Sequence, residues 1–392
     1  MTEITPEEIT ELLLNELQKN SNQRLTNAQL TQITGLSERT LRRRKAALRK
    51  APATPATPTS ATPEIPPNAI QTRGKVSRYT PGVGWDSAEY TVEPDPEQIL
   101  TLEQVTTPLT ANPGPLQTQN SNLIQASYVI ALSDLQAGKT DELGGTEQLS
   151  KRLASVFSQI EAHLTTNHYQ EIILVDTGDI LEGFSNTVAQ QQTNDLSLTD
   201  QIRYAQRVVV EAIRRFVPFA PNFVYISVPS NHCAVRTGAG SKNRSNAPND
   251  DWGLLISENI EQSLKITPGY EHITFVRPSK WEEAVTYASL PSQTTLAVVH
   301  GHQFGPGKAK EYLAKMVLGR RSNLQNADVL LFGHHHSFTL SLAGAGQHVI
   351  GAPTIDNGSS WYSNNSGESS PASMLTFELE KGTSMGWQIL TP

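Results

Sequence analysis

The sequence predicts an α/β body with additional β structure, preceded by a small all-α head on a proline-rich tether. Three observations carry this. Five short apolar runs of strand character follow Leu123, stripes of helical period separate or follow them, and the first fifty residues pair a turn glycine with a cluster of bases. The chain has 392 residues, which at ~100–200 residues per domain allows two or three domains. Apolar residues make up 37%, charged residues 18%, and the net charge is −7. That is a globular composition with a polar excess, so part of the chain is expected to be linker rather than core. No apolar run approaches the ~18 residues of a membrane span. Met1 to Glu8 carry acids where a leader would carry bases and apolar residues. The only cysteine, Cys233, cannot form an intrachain disulfide. The expected compartment is the cytoplasm.

The head comes first. Ile9, Leu12, Leu13, Leu14 and Leu17 give the Thr5–Leu17 segment an amphipathic helical pattern. A short helix from Asn27 to Thr34 follows, then a turn at Gly35 and a second helix capped by Ser37. This is the layout of a helix-turn-helix. From Ser37 to Lys50 seven bases stand against one acid, so this segment carries +6 while the chain as a whole is acidic. At 100° per residue, Leu41 and Leu48 fall on one face and Arg39, Arg42, Arg43 and Lys50 on the opposite one. With Thr40 beside them, these residues are the expected DNA contacts of a helix laid in the major groove. A solvated charged helix is the competing reading.

Residues 51–67 read APATPATPTSATPEIPP, with six prolines, and should stay extended. The expected division is therefore 1–50 for the helix-turn-helix domain, 51–122 for the Pro/Thr-rich linker and 123–392 for the body. In the body, the runs at 128–134, 171–176, 223–229, 295–300 and 328–333 read as buried strands. Helical stripes run through Leu149–Leu164, Ile202–Phe216 and Trp252–Leu264, the last capped by Asp250-Asp251. The tail adds strand-like segments at 338–344, 348–353, 374–380 and 385–390, with a turn at Lys381-Gly382. There is no internal repeat.

Each of the five buried runs ends in residues able to bind a metal or move a proton. They are Asp134 with Gln136, Gly178-Asp179, Asn231-His232, His300 with His302, and Gly333-His334-His335-His336. Ligands of open α/β sheets gather at the carboxyl ends of the strands, so five such deposits can converge. Asp and Asn oxygens mixed with imidazoles suit Mn, Fe or Zn better than Mg or Ca. One bridging carboxylate among several imidazoles suits a pair of cations acting on one phosphate. Singly, most of these residues would pass for turns or satisfied loop histidines. The ordered conjunction of five is what points to function.

The order SDLQ, GDILE, SNHC, VHGH and GHHH resembles the calcineurin-like metallophosphoesterase family, whose pattern reads D-x-H, G-D-x-x-[DE], G-N-H-[DE], H and G-H-x-H. The resemblance spans roughly residues 123–392. It implies a four-layer α-β-β-α sandwich and two divalent metal ions, manganese first, with iron or zinc as the other options. By position, Asp134, Gln136 and His336 would hold the first ion, Asn231, His300 and His334 the second, and Asp179 would bridge them. His232 would act as the general acid. His302 and His335 fall between ligand positions, and Glu182 would support the Gly-Asp block. Lys139, Arg236, Lys242 and Arg244 would meet substrate phosphates or form a solvated basic loop. Three departures stand out: Gln136 for a histidine, Cys233 for the acid after the catalytic histidine, and Ser230 for the glycine before Asn231.

With a DNA-binding head on a tether, the resemblance implies a DNA-directed nuclease, nearest in kind to the DNA double-strand-break repair exonucleases. Only 56 residues follow His336, too few for the capping domain of those nucleases. The alternatives are a phosphomonoesterase or protein phosphatase localised by the head, and a DNA-binding protein with an inactive esterase site. The expected partner is DNA, with no membrane. The oligomeric state is open, a homodimer being one option.

Overall fold

The computed structural model describes residues 9, 11–13, 15–16, 25–50, 73–80, 84–91, 101–107, 122–184, 194–235, 247–319, 323–360, 363–364 and 371–392, without the side chains of 28, 46–50, 73–80, 84–91, 105 and 323. The chain divides into two units, Met1–Glu64 with Gly74–Tyr90, and Ile65–Arg73 with Thr91–Pro392.

In the first unit, helices α1 (Asn27–Thr34) and α2 (Glu38–Lys50) meet at Gly35, whose φ of 68° lies in the left-handed region that glycine adopts most readily. Thr26 and Gln29 form a reciprocal cap on α1. The Ser37 hydroxyl accepts the Thr40 amide and bonds the Thr40 hydroxyl at 2.9 Å. Leu30 and Leu41 are buried with Ile9 and Leu13. The segment expected to be linker carries a two-strand sheet, β1 (Arg73–Thr80) and β2 (Gly84–Thr91), and in the second unit the short helix α3 (Leu102–Thr106).

The second unit is mixed α/β with two sheets. One has six strands in the order β13-β12-β3-β4-β5-β6, drawn from β3 (Ile124–Leu132), β4 (Tyr169–Asp176), β5 (Asn222–Ser227), β6 (Thr274–Val276), β12 (Met374–Glu380) and β13 (Thr383–Leu390). β3 to β6 are parallel, and the β12-β13 hairpin joins β3 antiparallel. The other sheet runs β10-β11-β9-β8-β7, from β7 (Val285–Ala288), β8 (Thr295–Val299), β9 (Val329–Phe332), β10 (Thr339–Ala343) and β11 (Gln347–Gly351). β8, β9 and β11 are parallel.

The central strands carry unbroken apolar runs, Tyr128–Leu132, Ile172–Val175 and Phe223–Ile226, because both faces are covered. Tyr128, Ile130, Ile172, Leu174, Phe223 and Tyr225 point into one cluster with the stripes of α4 (Thr146–Thr166), α5 (Leu198–Phe216) and α6 (Trp252–Lys265). Their neighbours Val129, Ala131, Ile173, Val175, Val224 and Ile226 point the other way, onto Leu296, Val298, Val329, Leu331 and Ile350 of the second sheet. That sheet's far face, with Ala297, Val299 and Leu330, packs on Ala309 and Leu313 of α7 (Ala309–Gly319). Among the described residues, no helix is long and apolar enough to cross a membrane.

Register aligns the strand ends. Leu132 pairs with Asp176, Asp176 with Ser227, and Val299 with Phe332. The parallel strands of each sheet therefore end level, and the residues beyond them start from aligned positions.

Candidate metal centre

The loops after β3 and β4 run side by side. Gln136 and Ala137 donate their amides to the carbonyls of Asp179 and Ile180, and Glu182 donates back to Ala137. Gly178, at φ 99°, lies so close to His300 that an added Cβ would stand 2.8 Å from Nδ1. Gly333 is similarly enclosed, since a Cβ there would collide with Asp134 Oδ2. These two glycines let the strand ends of both sheets approach within ligand distance.

Among the described residues, seven that are not glycine have positive φ, and five of them are Asp134, Gln136, Asp179, His334 and His336. Such backbone costs on the order of 1 kcal/mol or more per residue and persists where the surroundings over-determine it, often at functional sites. Here it aims consecutive loop residues into one space.

At the centre, Asp179 Oδ2 lies 3.0 Å from His300 Nε2. Asn231 Oδ1 lies 2.9 Å from the same nitrogen. His300 Nδ1 donates to the Thr177 carbonyl at 2.9 Å, which leaves Nε2 to face both oxygens. An imidazole nitrogen facing two oxygens must either carry a proton or meet a cation. Donor atoms of Asp179, His300 and His334 all lie within 4.8 Å of one another. This donor set fits a divalent cation. Metal-free, burial works to lower the His300 pKa, but the Asp179 carboxylate outweighs it and pushes it up to about 9. Burial works to raise the Asp179 pKa, but the His232 and His300 imidazoles hold it well below the usual carboxylate range. His334 is pushed down to about 4 by burial and by the neighbouring His300.

His232 stands beside this group. Its amide donates to Asp179 Oδ1 at 2.8 Å. Its Nδ1 lies 3.0 Å from the Glu182 carbonyl and 3.2 Å from Glu182 Oε2, while Nε2 is 3.8 Å from Asp179 Oδ2. Against burial, the Asp179 and Glu182 carboxylates push its pKa up to about 9. Cys233 is buried, and burial pushes its thiol well above the ordinary range, so it is neither nucleophile nor acid at neutral pH. Asp251 caps α6 through Gly253 and Leu254 and also accepts the Ser230 amide at 3.0 Å, fixing the loop that presents Asn231 and His232. Asp250, the other expected cap, is exposed.

The remaining expected ligands form a separate group. Asp134 accepts the Ser133 hydroxyl and the His334 amide, and lies 3.4 Å from His336 Nε2. The oxygen of Gln136 accepts a hydrogen bond from Lys139 Nζ at 2.6 Å. The same ammonium is 2.6 Å from Asp356 Oδ2, which stands 3.6 Å from His336 Nδ1. Asp356 belongs to none of the five strand-end blocks, although it too follows a strand, in the run Asp356-Asn357-Gly358. Thr354 belongs to the same loop and donates to the Asp134 carbonyl. His302 lies 3.6 Å from Glu283, and the His335 ring meets Phe304 at a tilt and Phe332 edge-on.

In the head, Arg39, Arg42 and Arg43 are exposed and Thr40 is half-buried in the Ser37 cap. Arg42 pairs with Glu38 at 3.3 Å. The side chain of Lys50, and Arg236, Lys242 and Arg244, lie outside the described residues.

No protein-family model matches the chain. It is 24% identical over 274 residues to the SPbeta prophage-derived uncharacterized protein YonJ of Bacillus subtilis strain 168, across 67% of this chain and 64% of that protein. The chain thus spans less than two thirds of that relative's length. Solved structures similar to it include a predicted phosphoesterase from Streptococcus pneumoniae, at 10% identity over 67% of this chain and 98% of that one, with a TM-score of 0.27. Another is zinc-complexed Vps29 from Entamoeba histolytica, at 10% identity over the same shares, with a TM-score of 0.29.

Proposed function

We propose that the chain is a metal-dependent phosphoesterase of the calcineurin-like metallophosphoesterase kind, with a four-layer α-β-β-α body, directed to DNA as a nuclease by its helix-turn-helix head. The observation that carries this reading is the convergence at the strand ends, where His300 Nε2 faces Asp179 and Asn231 with His232 alongside.

Asp179, Asn231, His300 and His334 would hold the ion, with manganese the first expectation for a set of mixed oxygens and imidazoles. A divalent cation held there supplies Lewis-acid polarisation of a phosphoryl oxygen and a more acidic water. The chain's own residues do the rest. His300 is fixed in one tautomer by Thr177, so its ligand nitrogen is already aimed. Glu182 orients His232 through Nδ1, leaving Nε2 as the nitrogen that presents a proton. In the metal-free chain the Asp179 and Glu182 carboxylates push the His232 pKa up to about 9. With Glu182 holding Nδ1, Nε2 is placed to deliver a proton to the departing oxygen of the ester.

The test is a side-by-side assay of the full chain with Mn(II) on labelled duplex DNA, an aryl phosphodiester and an aryl phosphomonoester. DNA and the diester should be cleaved and the monoester should lag. Preference for the monoester would contradict the nuclease reading, and no hydrolysis of any substrate would contradict the phosphoesterase reading.

The head makes a separate prediction. Exposed Arg39 and Arg43 should each contact a phosphate, so binding of uncleavable duplex DNA should weaken steeply with salt. Replacing both by alanine should lower the slope of log affinity against log salt by about two, while hydrolysis of the small diester is unchanged. An unchanged slope would remove these arginines from the interface.

A further inference from the structure

The metallophosphoesterase resemblance implies two cations, and the two positions differ in how well they fit. At the second, the donor atoms of Asp179, Asn231, His300 and His334 converge. At the first, the Gln136 oxygen already accepts the Lys139 ammonium at 2.6 Å. That ammonium is simultaneously 2.6 Å from Asp356 Oδ2, and both side chains of the pair are almost fully buried, with 10% and 4% of their surface exposed. Asp356 in turn lies 3.6 Å from His336 Nδ1, and His336 Nε2 lies 3.4 Å from Asp134 Oδ1. The expected first-position ligands Asp134, Gln136 and His336 are thus linked into one network through a lysine and an acid belonging to the chain.

Both ends of the ion pair are anchored by backbone. Asn357 donates to the Lys139 carbonyl. Thr354 donates to the Asp134 carbonyl at 2.7 Å. Arg152 of α4 donates to the carbonyls of Ile355 and Asp356 at 3.2 and 3.1 Å. Lys139 Nζ stands 2.6 Å from both an amide oxygen and a carboxylate oxygen, two acceptors that suit an ammonium donor. A dication drawing on the same glutamine oxygen would stand within a few ångströms of that charge, where repulsion between cations is largest. Replacing a neutral imidazole by glutamine plus a lysine–aspartate pair also leaves the formal charge of the position unchanged.

We infer that Lys139, held between Gln136 and Asp356, is the chain's own cation at the first position, so that the site takes one divalent ion and not two. Its ammonium meets the phosphate oxygen that a second ion would otherwise bind. This inference rests on the metal reading proposed above and goes beyond it in stoichiometry and in the role of Lys139.

The test counts metal. The full chain, stripped with a chelator, reloaded with excess Mn(II) and desalted, should hold one manganese per chain by mass spectrometry. Its electron paramagnetic resonance should be the six-line pattern of an isolated ion. A Lys139→Met/Asp356→Asn variant removes the ion pair as a unit, so no buried charge is left unpartnered. It should acquire a second manganese, coupled to the first, so that the six-line pattern is lost. Two ions in the unmodified chain would overturn the inference, whether or not the variant folds. One ion in both proteins, with the variant's circular dichroism unchanged, would remove Lys139 from the cause. No manganese at all in the unmodified chain would defeat the metal reading itself and this inference with it. Zero ions and two ions are therefore distinct failures.

Discussion

Asp179→Asn should abolish turnover and strip the site of its cation. The substitution keeps the shape of the side chain and an oxygen able to accept the His232 amide, but removes the buried charge that faces His300 Nε2 at 3.0 Å. Two functions fail together. The ion loses its one anionic ligand among Asn231, His300 and His334. His232 loses the largest influence raising its pKa, so it holds its proton less firmly. A loss on the order of 10²–10³-fold is expected from removing one preorganised electrostatic group, and more when metal is lost as well. Steady-state rates on the aryl diester, measured alongside bound metal, decide this. Full activity at full metal content would show that Asp179 has neither role.

His232→Ala separates chemistry from metal binding. The side chain lies outside the convergent donors, with Nδ1 on Glu182 and Nε2 3.8 Å from Asp179. Metal content should therefore be unchanged while turnover falls about 10²–10⁴-fold, the usual contribution of a general acid. The loss should be largest for esters with poor leaving groups, which need the proton, and small for nitrophenyl esters, which do not. The pH profile gives an independent readout. A general acid must be protonated to act, so activity of the unmodified chain should fall on the basic side as His232 loses its proton, and the variant should lack this limb. The sign for stability is the same. In the metal-free protein, His232 and His300, both raised to about 9, favour the folded state fully below their unfolded pKa of about 6.5 and lose that contribution as pH rises through 9. Equal losses for good and poor leaving groups would make His232 a positioning residue.

The central strands and helices were legible because burial on both faces leaves unbroken apolar runs, and because α4, α5 and α6 each present one full stripe. β6, β7 and α7 left weaker traces. β6 is three residues long with no fully buried side chain, β7 buries only Val285, and α7 buries only Ala309 and Leu313. The β1-β2 pair, with Val76, Tyr79, Trp85 and Tyr90 in its sequence, lies inside the longer stretch 51–122 whose overall Pro and Thr content reads as linker. At the site, residue types at strand ends could be read in order, but their approach could not. The left-handed backbone of Asp134, Gln136, Asp179, His334 and His336 falls on residue types that adopt it far less often than glycine, so the sequence marks it only weakly. The Lys139–Gln136 contact joins neighbours in sequence, yet it takes Asp356, more than two hundred residues away, to hold the ammonium there.

The central claim is that the strand-end cluster binds a divalent cation through His300. It is tested most directly by titrating Mn(II) into the metal-free chain in a calorimeter at pH 7, in two buffers of different ionisation enthalpy. His300, raised to about 9, is protonated before binding and must lose that proton to coordinate, whereas His334, lowered to about 4, is already neutral. Saturable binding with release of about one proton per ion is the expected result. Absence of binding, or binding without proton release, would contradict the assignment of His300 and the metal centre built around it.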